Sequence, residues 1–212
     1  YEFPNSACYL PIFVGGERTS AIKNEEFHQD NSGINIAGKN SSFCELTGLY
    51  WAWQNGIFKN NQYVGLVHYR RYFAGKELYL KKRHIASESE LLSLLEKYEA
   101  ILPKKRNYFI ESIYSHYQHA HHVKDLNCTR EIISELHPEY ITSFDAIMQG
   151  RKIHIYNMFV MSSEKASEYC EWLFPILFEL ERRIDITQYD SYQKRVFGFI
   201  AERLFNVWLV YH

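Results

Sequence analysis

Two adjacent arginines after an apolar run are the sharpest chemical signal in the sequence. Residues 62–69 combine β-branched and aromatic side chains, which predicts a buried strand, and Arg70 and Arg71 stand at its end. Two guanidinium groups leaving a sheet edge can grip a diphosphate through bidentate, charge-assisted hydrogen bonds without a metal. The alternative is that both arginines pair with carboxylates of neighbouring helices. We favour the phosphate role, because ligands in open α/β sheets bind beyond the carboxyl ends of the strands.

A polar loop before the first predicted helix is a second candidate anion site. Residues 24–42 are rich in Gly, Asn and Ser, and Lys39 stands just before the expected start of a helix. Free backbone N–H groups and the helix dipole favour an anion at such a position. Asp30 and Asn31 could hydrogen-bond a base or a ribose. Composition alone favours the plainer interpretation, a solvated turn.

A carboxylate in the last helix is the first candidate for a general base. The last helical pattern covers 190–209, and its residues from Val196 to Trp208 are nearly apolar all round, which predicts a buried helix. A polar or small stripe crosses it at helical spacing, formed by Arg195, Gly198, Glu202 and Asn206. Arg195 and Glu202 lie about 10 Å apart along the axis, so they cannot neutralise each other. Glu202 could therefore act as a base with a tuned pKa, or it could pair with an arginine on another element.

Histidines cluster within the aromatic region that precedes the middle helices. The cluster consists of His116, His119, His121 and His122, ahead of Asp125. A metal site is conceivable, because imidazole and carboxylate ligands suit several divalent ions. No recognised ligand spacing such as H-E-x-x-H occurs, however. A neutral polar face that includes Tyr114 and Tyr117 is the better interpretation, and such a face suits sugar hydroxyls.

Alternating strand and helix patterns predict an α/β layer fold that would position these residues. Strand patterns cover 9–14, 62–69, 100–102 and 153–161. Helices are predicted to begin at two capping boxes, Ser42 with Glu45 and Ser87 with Glu90, and further helical patterns cover 128–136, 138–149, 163–184 and 190–209. Strands separated by helices indicate at least partly parallel pairing.

The composition is that of a globular protein and excludes several function classes. The 212 residues, 46% hydrophobic and 23% charged, fit one large domain or two tightly fused small ones. A formal net charge of -1 argues against capture of nucleic acid. No apolar run approaches the roughly 20 residues of a membrane span. The four scattered cysteines form no C-x-x-C pair, which excludes a cysteine zinc site and favours a reducing cytoplasm.

Four strings of residues carry a resemblance to one bacterial family. They occupy residues 42–53, 64–73, 156–161 and 195–204. Together they resemble a family of domains of unknown function found in capsular and exopolysaccharide gene clusters, whose members are regarded as glycosyltransferases. The resemblance covers essentially the whole chain, with the strings in family order. It implies a GT-A-like, Rossmann-type fold with a mixed, mostly parallel sheet flanked by helices, and some members transfer galactofuranose with inversion.

The resemblance also implies where the ligands would bind within a single domain over residues 1–212. Residues 1–103 would form the nucleotide-sugar half and residues 104–212 the acceptor half, and the family's first strand would lie upstream of Tyr1. The residues expected to contact the donor and its diphosphate are Asp30, Asn31, Lys39, His68, Arg70 and Arg71. The residues expected to contact the acceptor are Tyr114, Tyr117, His121, Asn157 and Arg195. The candidate bases, in order of preference, are Glu202, Asp190 and His116.

One departure from the general GT-A pattern bears on the cofactor. The sequence contains no Asp-x-Asp motif, and His68-Tyr69-Arg70 stands where such a motif would end a strand. This puts the usual Mn²⁺ or Mg²⁺ bridge in doubt, and we assign no metal ligand. Stabilisation of the leaving diphosphate by arginine and a helix dipole is the more economical expectation.

The expected function is an inverting transfer of a sugar from a nucleoside-diphosphate sugar, with UDP-sugar as the first choice, to a growing capsular or exopolysaccharide glycan. The acceptor would be lipid-linked, and the enzyme cytoplasmic at the inner face of the plasma membrane. Basic runs at 81–83 and 104–106 would give peripheral membrane contact. The alternative is a non-catalytic nucleotide-sugar or glycan-binding module of the same fold, which a missing Asp-x-Asp also predicts. A metal-dependent hydrolase built on the histidines is a third hypothesis.

Overall fold

The chain passes several times between two structural units. The computed structural model describes residues 2–16 and 27–212. Unit 1 comprises Tyr1–Asn40, Glu45–Pro103 and Met158–Ser167, and unit 2 comprises Ser41–Cys44, Lys104–Asn157 and Glu168–His212. One passage falls between Pro103 and Lys104, where the two halves were expected to meet. The assignment of these halves to donor and acceptor stays a prediction.

Short strands and longer helices make this a mixed α/β protein. The strands in chain order are β1 (Ile12–Phe13), β2 (His28–Gln29), β3 (Tyr63–Leu66), β4 (Ala74–Leu80), β5 (Arg83–Ile85), β6 (Ala100–Ile101), β7 (Arg106–Asn107), β8 (Lys152–Ile153) and β9 (Phe159–Ser162). The helices are α1 (Asn40–Phe43), α2 (Leu46–Gln54), α3 (Glu88–Leu95), α4 (Ile113–Ala120), α5 (Val123–Leu136), α6 (Ile141–Gln149), α7 (Ser163–Arg183) and α8 (Val196–Tyr211). Short 3₁₀ turns occur at Ala37–Lys39, Pro138–Tyr140 and Gln193–Arg195.

The three-stranded sheet of unit 1 has a late strand at its centre. Strand β9 lies between β3 and β6 and pairs antiparallel with both. Strands β3 and β6 therefore run in the same direction, as the strand–helix–strand pattern predicts, but they do not bond to each other. Among the other described strand pairs, β1–β2 is parallel, whereas β4–β5 and, in unit 2, β7–β8 are antiparallel.

The expectation of a mostly parallel sheet is therefore not met by the strand pairs of residues 2–16 and 27–212. The physical reason is the insertion of β9, which comes more than 50 residues after β6 in the chain. Local periodicity reports which segments are extended, but it carries no information about which distant strand will bond between two of them.

The two capping boxes predicted from the sequence have different outcomes. At α3 the prediction is confirmed, because the Ser87 hydroxyl accepts from the Glu90 N–H at 3.2 Å and a Glu90 carboxylate oxygen accepts from the Ser87 N–H at 3.0 Å. No helix begins at Ser42, which lies inside α1, and the N-cap position of α2 is Glu45. Cys44 adopts a left-handed conformation with φ of 53°, so α1 ends before it and α2 begins after it.

The predicted strand over 153–161 is also interrupted. Strand β8 ends at Ile153 and β9 begins at Phe159, and between them Tyr156 and Asn157 have φ values of 78° and 52°. Two consecutive non-glycine residues in the left-handed region cost free energy, so surrounding contacts must hold them there. Those contacts come from α8.

Helix α8 is buried on almost every side, which confirms its prediction as a core helix. Its apolar residues Val196, Phe197, Ile200, Leu204 and Phe205 are all nearly inaccessible to solvent. The rings of Phe43 and Phe197 stack with centroids 4.4 Å apart. Burial of each such side chain contributes about 2 kcal/mol, which fixes the helix and the polar groups that it carries.

No helix within residues 2–16 and 27–212 has the length and apolar character that crossing a bilayer requires.

Gly65 in β3 gives a test of the sheet. A Cβ atom added there would lie 2.6 Å from the Phe159 carbonyl oxygen and 2.9 Å from a Val160 methyl carbon. Since backbone on β9 cannot easily move aside, we expect Gly65→Ala to lower the free energy of unfolding by about 1–3 kcal/mol. Urea denaturation measures this change. The matched control is Gly38→Ala, whose added methyl group meets no atom within 4 Å; equal stability of the two variants would contradict the described β3–β9 packing.

Candidate functional site

A buried arginine and the residues that it contacts, Phe199, Glu202 and Tyr117, form the Arg203 cluster of unit 2. Arg203 on α8 is only 3% exposed. Its Nη1 donates to the Phe199 carbonyl oxygen at 3.0 Å and to Glu202 Oε2 at 3.1 Å, and its guanidinium lies 5.1 Å from the centre of the Tyr117 ring. Its Nε is buried and has no hydrogen-bond partner among the described residues. A cation at this depth requires a compensating charge, which Glu202 supplies.

Glu202 holds hydrogen bonds on both carboxylate oxygens. Oε1 accepts from the Tyr156 N–H at 2.7 Å, and Oε2 accepts from Arg203. The side chain keeps 20% of its surface exposed. Donors on both oxygens stabilise the ionised carboxylate, and the exposed fraction leaves it within reach of a ligand.

The polar stripe on α8 fastens the irregular segment 154–157. Asn206 Oδ1 accepts from the His154 N–H, and its Nδ2 donates to the His154 carbonyl oxygen, both at 2.8 Å. Asn157 is buried and donates from Nδ2 to the Gly198 carbonyl oxygen at 3.3 Å. Together with the bond from Tyr156 to Glu202, these contacts hold the two left-handed residues in place. Gly198, Glu202 and Asn206 of the predicted stripe therefore each hydrogen-bond to segment 154–157.

Arg195, the first member of that stripe, contacts Cys44 and Phe199. It is exposed, its Nε donates to Cys44 Sγ at 3.3 Å, and its guanidinium lies 5.5 Å from the centre of the Phe199 ring.

His116 stacks against an aromatic ring close to Arg203. Its ring centroid lies 3.9 Å from that of Tyr108, with 19° between the planes. Its Nδ1 is buried and has no hydrogen-bond partner in the described part of the chain. Burial lowers the pKa of His116, and the positive charge of Arg203 lowers it further. The imidazole is therefore neutral near pH 7 and able to accept a proton.

His121 is stacked in the same unit. Its centroid lies 4.1 Å from that of Phe199 and 5.8 Å from that of Tyr192, and its Nδ1 lies 3.2 Å from Gln193 Oε1. Burial lowers the pKa of His121 to about 4, with a further lowering from the charge of Arg203. A neutral, flat imidazole among aromatic rings is suited to contact with a sugar face.

The two tyrosines assigned to the acceptor have separate environments. Tyr117 is fully buried against Arg203, and burial raises the pKa of its hydroxyl. Tyr114 donates from its hydroxyl to Asn127 Oδ1 at 3.1 Å and lines a groove of about 440 Å³ together with Arg130 and Asp145. The Arg203 cluster does not line that groove, so the predicted sugar face is divided.

The remaining members of the histidine cluster have partners of their own. His119 Nδ1 lies 2.5 Å from Glu111 Oε1, and His122 stacks on Tyr189 with centroids 4.1 Å apart. Asp125 is buried and accepts from the Tyr189 hydroxyl at 2.9 and 3.0 Å. In the described part of the chain, no three His, Cys, Asp or Glu side chains converge as metal ligands do. The described histidines therefore do not form the ligand group on which the metal-dependent hydrolase hypothesis depends.

The arginines of unit 1 lie on a tight turn that follows the strand. Strand β3 ends at Leu66, and His68 and Arg71 then exchange backbone hydrogen bonds of 2.9 and 3.1 Å. Arg70 occupies a corner of this turn, exposed, with its guanidinium 4.9 Å from the centre of the Tyr69 ring. Within residues 2–16 and 27–212, Arg70 forms no ion pair with a carboxylate. The alternative, an ion pair with a carboxylate of a neighbouring helix, is therefore not found for Arg70 among these residues. Arg71 is exposed as well.

Asp30 is turned into unit 1. Its carboxylate is fully buried and accepts from the Gly15 N–H at 3.1 Å and the Gly16 N–H at 3.4 Å. It therefore fixes the turn at these two glycines, and the neighbouring Asn31 is the exposed member of the predicted base or ribose pair. A side chain at Gly16 would collide with Asn31, since an added Cβ would lie 2.6 Å from its Nδ2.

Lys39 is half-buried at the end of a 3₁₀ turn and precedes α1. Helix α1 has only four residues, so it lacks the aligned peptide dipoles that the expected anion site requires. The side chain of Lys39 remains as the basic group of this loop.

Asp190, the second candidate base, caps the turn that leads into α8. It is exposed, and its Oδ1 accepts from the N–H groups of Tyr192 and Gln193, both at 2.8 Å.

Sequence reasoning missed three residues that build this site. Arg203 carried a usable signal, because a charge within an apolar helix beside Glu202 must be paired when buried. Tyr108 and Tyr156 carried none, since ring stacking on His116 and a left-handed turn arise only when distant segments meet.

Comparison with solved structures indicates the class of protein. The chain is similar to the apo structure of the WbbM bifunctional glycosyltransferase, with a TM-score of 0.87 and 32% sequence identity over 99% of this chain and 40% of that one. The chain therefore shares a mixed α/β fold with part of a glycosyltransferase. The chain spans less than half the length of that neighbour.

The family of the chain is shown as well. Residues 1–212 match the DUF4422 family, a domain of unknown function, and the chain belongs to that family. The resemblance seen in the four sequence strings is thereby confirmed. No curated protein matches the chain.

The lowered pKa of His121 gives a prediction about stability. The ring has a pKa of about 4 in the folded state against 6.5 ordinarily, so the unfolded chain binds the proton first as the pH falls. Acidification from pH 6.5 towards pH 4 should therefore reduce the free energy of unfolding, by on the order of 1 kcal/mol for this partly exposed ring. His121→Phe keeps the stacking and removes the titration.

Urea denaturation of both proteins at pH 7 and pH 4.5 measures this effect. We expect the stability difference between wild type and His121→Phe to shift in favour of the variant at the lower pH. Other titrating groups are common to both proteins and cancel in the comparison. An unchanged difference would contradict a lowered pKa for His121.

Proposed function

We propose that this chain is a glycosyltransferase that moves a sugar, with inversion, from a nucleoside-diphosphate sugar to a glycan acceptor. The observation that carries the proposal is the similarity to a glycosyltransferase over 99% of the chain. The finer assignment to a GT-A-like, Rossmann-type fold belongs to the same proposal. The following roles are assigned from the geometry within each unit.

The donor diphosphate is assigned to the cations of unit 1. Arg70 is exposed and has no carboxylate partner among residues 2–16 and 27–212. Arg71 follows it on the same turn, and Lys39 is the basic group of the preceding loop. Guanidinium groups stabilise the negative charge that develops on the diphosphate as it leaves. His68 closes the turn that carries the arginines, and Asn31 is available to the base or ribose, with UDP-sugar as the donor of first choice.

The acceptor chemistry is assigned to unit 2. In an inverting displacement, a base removes the proton of the acceptor hydroxyl while its oxygen bonds to the anomeric carbon. The bond from that carbon to the diphosphate breaks, and its electron pair leaves with the diphosphate. Glu202 is the first choice of base, because its carboxylate is held by hydrogen bonds from two sides and is partly exposed. Asp190 and His116 are the second and third choices.

Acceptor contacts are proposed for the residues around this carboxylate. His121 offers an aromatic face, Asn157 fixes the turn that donates to Glu202, and Tyr117 supports Arg203 from behind. Tyr114 on its separate groove and the exposed Arg195 would contact more distant parts of a glycan chain. A capsular or exopolysaccharide acceptor carried on a lipid at the inner face of the membrane is part of this proposal.

One observation favours the alternative of a non-catalytic nucleotide-sugar or glycan-binding module. Both oxygens of Glu202 already hold hydrogen bonds within the protein, which a purely structural carboxylate would also do. The two functions differ in their products, since only the transferase releases the nucleoside diphosphate from the sugar.

Replacement of Arg70 tests the donor site. We expect Arg70→Ala to weaken the binding of UDP and UDP-sugars about ten- to a hundredfold, because a charge-assisted contact to phosphate is lost. The affinity of Arg70→Lys should lie between those of wild type and Arg70→Ala, since lysine keeps the charge and loses the bidentate geometry. Isothermal titration calorimetry measures the dissociation constants.

Arg83→Ala is the matched control for this measurement, because Arg83 is an exposed arginine of unit 1 on β5. It should leave the dissociation constants unchanged. Equal affinity of Arg70→Ala and wild type would remove Arg70 from the donor site.

Replacement of Glu202 tests the base. We expect Glu202→Gln to retain donor binding and to lose transfer about a hundredfold or more, since an amide cannot accept the proton. The amide oxygen can still accept from the Tyr156 N–H, so segment 154–157 should stay in place. Release of the nucleoside diphosphate in the presence of acceptor measures turnover, and thermal unfolding verifies the fold.

The control for Glu202→Gln is Glu131→Gln, the same chemical change at an exposed position of α5. It should keep full turnover. Undiminished transfer by Glu202→Gln would exclude Glu202 as the base and pass the role to Asp190 or His116.

A further inference from the structure

Two bulky apolar side chains stand at the tip of an exposed turn in unit 2. Phe109 is 74% exposed and Ile110 is 88% exposed. They occupy the two corners of a turn that the Glu111 N–H closes on the Tyr108 carbonyl oxygen at 3.3 Å. Exposure this high removes nearly all of the free energy that burial of such side chains supplies, so packing within the described residues does not explain them.

The backbone at this tip is held in an unfavourable conformation. Phe109 has φ of 58°, a value that glycine adopts easily and a bulky residue does not. Its N–H donates to Asn107 Oδ1 at 2.9 Å, and Arg151 Nη1 donates to its carbonyl oxygen at 3.1 Å. The turn is thus fixed by polar contacts, and a side chain that costs stability is kept at its corner.

Five basic side chains lie near this tip, either beside it in the chain or on the strand that pairs with β7. Strands β7 and β8 form the base of the turn, with Arg106 opposite Ile153 and Asn107 opposite Lys152. The exposed basic residues on these two strands and their flanks are Lys104, Lys105, Arg106, Arg151 and Lys152. The nearby acidic group, Glu111, is engaged with His119. The turn therefore combines a strongly positive base with an apolar tip.

We infer that residues 104–111 and 151–152, the basic turn, dock on a membrane surface that contains anionic lipids. The lysines and arginines match the negative headgroups, and Phe109 and Ile110 enter the boundary between headgroups and acyl chains. A nucleic acid would use the cations but would leave the aliphatic Ile110 without a partner. This inference does not rest on the transferase activity, because binding to lipid is measured without substrate.

Co-sedimentation of the 212-residue chain with lipid vesicles tests the inference. The wild type should bind vesicles of phosphatidylcholine with phosphatidylglycerol and should not bind vesicles of phosphatidylcholine alone. Phe109→Gly combined with Ile110→Ser should weaken binding about tenfold or more, because the inserted apolar surface is lost. Glycine suits the left-handed backbone at position 109, so this variant is expected to fold.

Charge is tested with two matched triple variants. Lys104→Gln, Lys105→Gln and Lys152→Gln together should weaken binding by about fivefold for each lysine. The control replaces three exposed lysines outside both basic runs, Lys59, Lys76 and Lys97, and removes the same net charge. Phe109→Trp should retain binding, since tryptophan prefers the membrane interface.

Absence of wild-type binding to anionic vesicles would overturn the inference. Equal losses in the two lysine variants would also overturn it, since they would indicate attraction to net charge without a defined surface. Unchanged binding by the variant with Phe109→Gly and Ile110→Ser would show that the apolar tip does not enter the membrane, and it would also overturn the inference. Thermal unfolding of each variant verifies that the fold is intact.

Discussion

The polar interior of unit 2 depends on one constraint, the burial of the Arg203 guanidinium within an apolar helix. A cation removed from water at this depth is tolerated only beside an anion and hydrogen-bond acceptors. Glu202 supplies the charge, the Phe199 carbonyl oxygen supplies a further acceptor, and the Tyr117 ring covers one face. The same charge keeps His116 neutral, together with burial. Burial and this one positive charge thus act together on the groups around the candidate base.

The strain at segment 154–157 follows from the same helix. Glu202 and Asn206 use their side chains on the backbone of this segment, and Asn157 bonds back to Gly198. Two left-handed residues are therefore held without glycine, at a cost that only a fixed helix can offset. Because α8 is packed on almost every side, the carboxylate of Glu202 has one position. Preorganisation of this kind is what a base needs, and it is equally what a rigid binding site needs.

The arginine of the candidate donor site in unit 1 and the arginine beside the candidate base in unit 2 lie in opposite environments. In unit 1 the acidic group Asp30 is buried on backbone N–H groups, and the cation Arg70 is left exposed on a turn with an aromatic ring beneath it. In unit 2 the cation is buried, and an apolar turn with Phe109 at its tip is exposed. An exposed guanidinium without a carboxylate retains its full capacity for a phosphate, whereas a buried one acts through its neighbours.

The family of this protein and several of its local elements were predictable from the amino-acid sequence alone. The capping box of Ser87, the buried character of α8 and the stripe that contains Glu202 were predictable, because capping and periodicity depend on residues within a few turns of one another. Only the tertiary structure decided that β9 lies between two earlier strands, that Asp30 faces inward and that Arg203 is buried beside Glu202. These outcomes depend on which distant segments meet, and the free energy of those contacts is not encoded in any local pattern.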